Sequence, residues 1–251
     1  MSVFHSEWVS KYETGPLAVG NRALKGKEGK CVAVDCGMND GFYTMFSAAA
    51  GCKTWSFEIQ LKCIAVAHHV LKTNGKTNIT SIIGLPLGEN HNEIVKVPHG
   101  GDVHLNDVCD GGYSIQKEGV GHFKYDIKGY REMHGVALHS FFPDNLFIDF
   151  LKIDVEFMEV KVLRGARELF RSHRVGSAVV EVGKESWDEI FVDILRYGYK
   201  MACVTLAVFP EITRPPPVLT YLGYDERATI ENWIKQSKCV DWEICVDCHT
   251  N

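Results

Sequence analysis

The sequence has no apolar run approaching the roughly 18 residues that a bilayer-spanning helix needs, so no membrane-spanning segment is predicted. It also lacks an apolar core near its amino terminus: residues 1–11 carry His5, Glu7 and Lys11 and do not read as a secretion signal. A soluble, cytoplasmic protein with no membrane partner is therefore expected. Positive charge is not in excess either. There are 27 Lys and Arg against 32 Asp and Glu, a net charge of -5, so nothing electrostatic points to a nucleic-acid partner. The one basic run, Arg22, Lys25, Lys27 and Lys30, reads as a solvated approach to the first strand. Internal repeats are absent, and 251 residues suffice for a single domain with a sizeable core.

Cysteine is not scarce. There are nine, an odd count, and Cys31, Cys36, Cys52, Cys63 and Cys203 lie in or beside apolar segments where a free thiol packs as a small hydrophobe. That pattern favours a reducing compartment. Cys245-Val246-Asp247-Cys248-His249 matches the spacing of a haem-attachment site, but no export signal accompanies it and no second ligand pair for zinc lies nearby. His99, His104, His122 and His134 are too widely spaced to form a metal motif.

Strand and helix signals alternate, which argues a mainly parallel sheet covered by helices. A helix near 6–12 precedes a strand at 31–35, a helix at 41–50, a strand at 54–58, a helix at 61–73 and a strand at 79–83. Residues 1–30 read as an N-terminal helical segment. A hairpin strand at 94–97 leads into residues 99–135, rich in glycine and polar side chains, which read either as a loop or lid over a site or as a surface insertion. Regularity returns with a strand at 146–153, a helix at 157–171, a strand at 175–182, a helix at 187–196 and a strand at 200–208. Pro215 to Pro217 form an extended loop, 228–235 a helix and 242–246 a last strand.

The first strand runs into Asp35-Cys36-Gly37-Met38-Asn39-Asp40-Gly41, a strand, glycine turn and helix start of the kind that holds an adenine nucleoside at the end of a strand. Gly37 and Gly41 permit a sharp turn and close approach, and Asn39 or Asp40 can cap the helix that follows. Glu58 closes the next apolar segment, where a carboxylate can accept hydrogen bonds from both ribose hydroxyls. A dinucleotide fingerprint would need glycines where Asn39 and Phe42 stand. Asp40 also opposes a diphosphate by like charge. S-adenosyl-L-methionine has no phosphate and carries a sulfonium, so Asp35, Gly37, Asn39, Asp40, Gly41 and Glu58 are its candidate ligands.

Leu151-Lys152-Ile153-Asp154-Val155-Glu156 sets two carboxylates at the carboxyl end of a central strand, Glu159 follows one helical turn on, and Glu181 ends the next strand. In a doubly wound sheet Asp154 and Glu156 face the same crevice as Gly37. The bland alternative is that they only cap the helix that follows.

Together these segments resemble the FkbM family of class I S-adenosylmethionine-dependent methyltransferases. The resemblance spans roughly residues 31–183. It is carried by Val34 to Thr44, by Phe57-Glu58, by Phe150 to Glu156 with Val162-Leu163-Arg164-Gly165-Ala166, and by Val180-Glu181. It implies a Rossmann-like, doubly wound α/β fold with helices on both faces of a seven-stranded, mainly parallel sheet whose last strand is antiparallel. It further implies methyl transfer to a hydroxyl of a small molecule or sugar. The family has glycine where Phe157 stands, often histidine where Gly183 stands, and T-L-D where this chain has Ala137-Leu138-His139.

An aliphatic hydroxyl needs a base or a metal to become a nucleophile. Asp154 is the leading candidate for either role, with Glu156 as partner and His139 as an alternative base. Asp154, Glu156 and Glu181 are the candidate ligands of a divalent metal, because three converging carboxylates need a shared proton or cation. The alternatives are an N-methyltransferase acting on a small amine, and a nucleoside-binding protein without turnover.

Overall fold

The computed structural model describes residues 13–100, 109, 127–182, 188–206 and 239–245. The expected helices at 6–12 and 228–235, and the Pro215–Pro217 loop, lie outside these residues. Helix α1 (Thr14–Leu24) leads to β1 (Val32–Cys36), α2 (Phe42–Ala49), β2 (Lys53–Phe57), α3 (Leu61–Thr73) and β3 (Thr80–Ile83). A hairpin of β4 (Ile94–Gly100) and β5 (Ile127–His134) follows, then α4 (Leu138–Phe141) and β6 (Ile148–Ile153). The chain continues through α5 (Glu159–Gly165), α6 (Arg167–Arg171), β7 (Val175–Glu181), α7 (Glu189–Arg196), β8 (Lys200–Leu206) and β9 (Cys239–Cys245).

Seven strands form one sheet in the order β3-β2-β1-β6-β7-β9-β8. The pairs β2–β3, β1–β2, β1–β6 and β6–β7 are parallel, and β9 runs antiparallel between β7 and β8. The strand order reverses between β1 and β6, so the crevice at their carboxyl ends is the place where open α/β sheets bind ligands. Every residue of β6 is buried, as a central parallel strand covered on both faces requires. The main core gathers Phe57, Leu151, Ile153, Leu163, Phe191 and Trp242. Helix α7 buries Ile190, Phe191, Ile194 and Leu195 against it, and its first turn is capped by Asp188, which accepts from the Ile190 N–H at 3.0 Å.

The basic residues Arg22, Lys25, Lys27 and Lys30 are exposed and lead into β1, as expected, with Arg22 in the last turn of α1, which packs Val19 and Leu24 onto the sheet. Other expectations are corrected. The helix expected over 157–171 is two, broken at Ala166. The hairpin strand expected at 94–97 pairs with a return strand at 127–134 inside the segment read as a loop, hairpin lid or surface insertion, aligned Ile94↔His134 and Val97↔Arg131.

The free-thiol reading of Cys31, Cys52, Cys63 and Cys203 is also overturned. Cys31 is bonded to Cys52 and Cys63 to Cys109, and Cys203 is disulfide-bonded as well. The first bond follows from register. Val32 lies opposite Lys53 in the parallel β1–β2 pair, so the residues one step before them, Cys31 and Cys52, stand side by side with Cα atoms 4.6 Å apart. Cys36 is a free, buried cysteine, and burial pushes its thiol well above the usual range. Cys245 ends β9 and is disulfide-bonded, so its own sulfur is not a free ligand for a haem or zinc; Cys248 and His249 lie outside the described residues.

Candidate active site

The turn after β1 is fixed from both sides. The N–H groups of Gly37 and Met38 both donate to the Phe57 carbonyl at 3.0 Å, and the Asp154 N–H donates to the Cys36 carbonyl at 3.0 Å. Gly37 has φ +79°, and Asn39 also takes a left-handed φ of 51°. Helix α2 starts from Gly41 at φ +92° with no side-chain cap, so the expected capping by Asn39 or Asp40 is not made. A Cβ at Gly41 would meet the Ala67 Cβ at 2.7 Å, so this glycine lets α2 approach α3.

Glu58 ties β2 to this turn. One oxygen accepts from the Asn39 N–H at 2.9 Å, and the other from the N–H groups of Ile59 and Gln60, both at 2.8 Å. Burial raises its pKa against the pull of those donors. Glu58 lines a cleft with Gly37, Asn39, Leu87, Asp154, Glu156 and Met158, whose free space is about 580 Å³ including its open mouth. Asp35, Asp40 and Gly41 are not among its lining residues. Asp35 is buried beneath the turn, accepting from the Thr44 hydroxyl at 2.7 Å, and burial raises it to about 6.

Carboxylate oxygens of Asp154, Glu156 and Glu181 all lie within 4.8 Å of one another. The N-cap residue of α5, Met158, makes no side-chain cap bond, and Asp154 pairs with Lys152. Lys152, which reasoning from sequence passed over, is the organising cation: it is 3% exposed and its Nζ lies 3.1 Å from Asp154 Oδ2 and 5.5 Å from the Tyr43 ring centre. The Tyr43 hydroxyl in turn donates to Glu13. Burial pushes Asp154 up, but Lys152 and a hydrogen bond from Glu181 more than offset this and hold it below its ordinary value. Glu181 moves the other way, raised by the charge of Asp154 and then by burial. Asp154 and Glu181 are thus arranged to share one proton, with Lys152 favouring the negative charge on Asp154. The Asp154 side chain remains 33% exposed, so its charge faces the cleft.

His139 is held elsewhere. It sits on α4 with Nδ1 2.7 Å from the Gly165 carbonyl oxygen and does not line the cleft. The signal that Lys152 matters was present in the sequence: with Asp149 it is one of two charged residues in an otherwise apolar strand, and a buried lysine requires a partner.

The parallel sheet with its antiparallel last strand and a ligand cleft at the β1/β6 switch point defines a Rossmann-like class I methyltransferase fold. A model of the methyltransferase FkbM domain matches residues 35–201, and the chain belongs to that family. No curated protein sequence matches it significantly. Similar solved structures include an rRNA methylase from Streptococcus thermophilus, at 12% identity over 91% of this chain and 95% of that one with a TM-score of 0.44. Another is SMU.1697c of Streptococcus mutans, described as a methyltransferase and solved with SAH, at 10% identity, 91% and 96% coverage and a TM-score of 0.44. The METTL16 MTase domain has 9% identity, 93% and 67% coverage and a TM-score of 0.46. Likenesses at this level leave the acceptor open.

Proposed function

We propose that this methyltransferase binds S-adenosyl-L-methionine along Gly37, Asn39 and Glu58, and transfers its methyl group to a hydroxyl of a small, uncharged acceptor. The single observation that carries the hydroxyl reading is the Asp154 carboxylate lining the cleft, 3.1 Å from Lys152 Nζ and with Glu156 and Glu181 oxygens within 4.8 Å. The bound cofactor supplies an electrophilic methyl group. As the bond from acceptor oxygen to methyl carbon forms and the carbon–sulfur bond breaks, Asp154 accepts the hydroxyl proton. Lys152 keeps Asp154 ionised in the resting site, and Glu181 keeps the pair to one charge.

The cleft also argues on acceptor class. Its lining includes Glu58, Asp154 and Glu156 and, among the described residues, no basic side chain, so a phosphate or nucleic-acid acceptor meets like charge. Clustering of the three carboxylates favours a second reading in which a divalent cation replaces the shared proton. Sensitivity to chelation with restoration by magnesium or manganese separates the two.

The segment between β4 and β5 is the natural source of acceptor contacts. Cys109 within it is bonded to Cys63 on α3, and its Sγ lies 2.9 Å from Asn39 Oδ1, against the nucleoside turn. Tyr113, Ser114 and Tyr125 of that segment, candidates for such contacts by residue type, lie outside the described residues. The disulfides favour an oxidising compartment over the cytoplasm.

The test is calorimetry with S-adenosylhomocysteine, followed by mass spectrometry of small-molecule extracts incubated with protein and cofactor. Glu58→Ala should weaken cofactor binding by about 1–3 kcal/mol, and one methyl group should appear on an acceptor. Equal affinity in the variant removes Glu58 from the site, and tighter binding of NAD removes the methyltransferase reading.

A further inference from the structure

The turn joining β6 to α5 contains two consecutive backbone conformations that its side chains disfavour. Glu156 has φ 51° and Phe157 φ 75°, both in the left-handed region where a Cβ crowds the neighbouring carbonyl. Such conformations persist where the surroundings over-determine them. One end of the turn is determined by β1, through the Asp154 N–H bond to Cys36 and the seating of the Asp154 carbonyl against Gly37. The other end is determined by a residue so far without a role.

That residue is Glu159. It is 3% exposed although it stands in the first turn of a helix. Its side chain turns back from α5, and Oε1 accepts from the Val155 N–H at 3.0 Å and from the Phe157 N–H at 3.1 Å. Those two amides bracket Glu156. Holding both fixes the 154–155 and 156–157 peptide planes, which flank the Val155–Glu156 pair, and so constrains the direction in which the Glu156 carboxylate leaves the backbone. The result is the approach of Glu156 to Asp154 and Glu181 within 4.8 Å. Ordinary capping does not describe this, because the bonds go to amides that precede the N-cap residue Met158.

We propose that Glu159 is a positioning residue: it braces the 155–157 turn in its left-handed form and thereby sets Glu156 beside the proton-accepting Asp154, so turnover depends on it while cofactor affinity does not. The inference rests on the methyltransferase reading for its kinetic consequence and on geometry alone for the brace.

Three variants separate the brace from a general contribution to stability. Glu159→Ala removes both acceptor bonds. Glu159→Gln keeps an oxygen with two lone pairs at the same reach. Phe157→Gly, combined with Glu159→Ala, supplies a residue that takes a positive φ without steric cost.

Turnover is read as S-adenosylhomocysteine release, affinity by calorimetry with S-adenosylhomocysteine, and the brace by amide hydrogen exchange at Val155 and Phe157. Glu159→Ala should lower kcat at least tenfold, leave the cofactor Kd within about threefold, and lose protection at both amides. Glu159→Gln should recover most of the turnover and the protection, and the double variant part of the turnover. Unchanged exchange in Glu159→Ala overturns the proposal whether or not turnover is detected, as does a parallel loss of cofactor affinity. Should Glu159→Ala not fold, a Glu159→Gln protein that folds but has lost turnover and protection overturns it equally. A wild type that releases no product with any acceptor, yet shows the predicted exchange pattern, sinks the methyltransferase reading and leaves the brace standing.

Discussion

A Cβ placed on Gly37 would lie 1.7 Å from the carbonyl oxygen of Asp154. The glycine of the nucleoside turn and the carboxylate at the end of β6 are therefore in backbone contact, and the binding half of the site cannot shift without moving the reacting half. Gly37 also has φ +79°. Gly37→Ala should be destabilising by several kcal/mol, since it combines a steric clash with a left-handed backbone. If it folds, S-adenosylhomocysteine binding measured by calorimetry and turnover should fall together. Loss of binding with normal turnover at saturating cofactor would show that the two halves are independent.

The Cys31–Cys52 bond ties the starts of the two strands that carry the nucleoside turn and Glu58, across a sequence separation of 21 residues. Loop-closure entropy assigns such a bond about 3 kcal/mol, which for a chain of this length corresponds to roughly 6–12 °C in Tm. Replacing both cysteines by serine should lower Tm by that amount in calorimetry while leaving cofactor affinity nearly unchanged. Replacing Cys63 and Cys109 should instead reduce turnover, because that bond anchors the segment after β4 against Asn39. Identical behaviour of the two pairs would remove the functional distinction between them.

Much of this was legible in the sequence, for identifiable reasons. The sheet could be read because β1, β2, β6 and β7 are apolar runs broken by glycine or charge at their carboxyl ends, where Gly37, Glu58 and Asp154 stand. The disulfides were not legible because pairing Cys31 with Cys52 requires the register of β1 on β2, which no local pattern encodes. His139 was misleading for a related reason: a histidine aligned with a family motif says nothing of which way its ring turns, and this one turns to the Gly165 carbonyl. The brace of Glu159 depends on backbone conformation at Glu156 and Phe157, and Phe157 occupies a place where a glycine would have advertised the positive φ.

Asp35 makes stability depend on pH. Burial raises it from 3.8 to about 6 in the folded protein, so folding favours its protonated form. The stabilisation is complete below about pH 4 and is lost as pH rises through about 6, a difference on the order of 2–3 kcal/mol. Glu159, raised from 4.5 to about 7 by burial and by Asp154, acts with the same sign over a slightly higher window. Denaturant midpoints should therefore fall between pH 5 and pH 8, and Asp35→Asn should flatten part of that fall. A wild-type midpoint that rises over the interval would contradict the burial of both groups as neutral acids.

Asp154 and Lys152 allow chemistry to be separated from structure. Asp154→Asn preserves shape and removes the charge, so activity should drop at least ~100-fold if Asp154 takes the acceptor proton. Stability should fall too, because Lys152, 3% exposed, then faces a neutral amide. Removing one partner of a buried pair costs several kcal/mol, and the 33% exposure of the Asp154 side chain reduces this to about 1–3 kcal/mol through solvent screening. Replacing both residues, Lys152→Met with Asp154→Asn, removes the uncompensated cation and should recover most of the lost stability without recovering activity. Thermal denaturation and S-adenosylhomocysteine release on the two single variants and the double variant form a complete cycle. Activity that returns together with stability in the double variant would mean that Asp154 serves the fold and that the proton goes elsewhere.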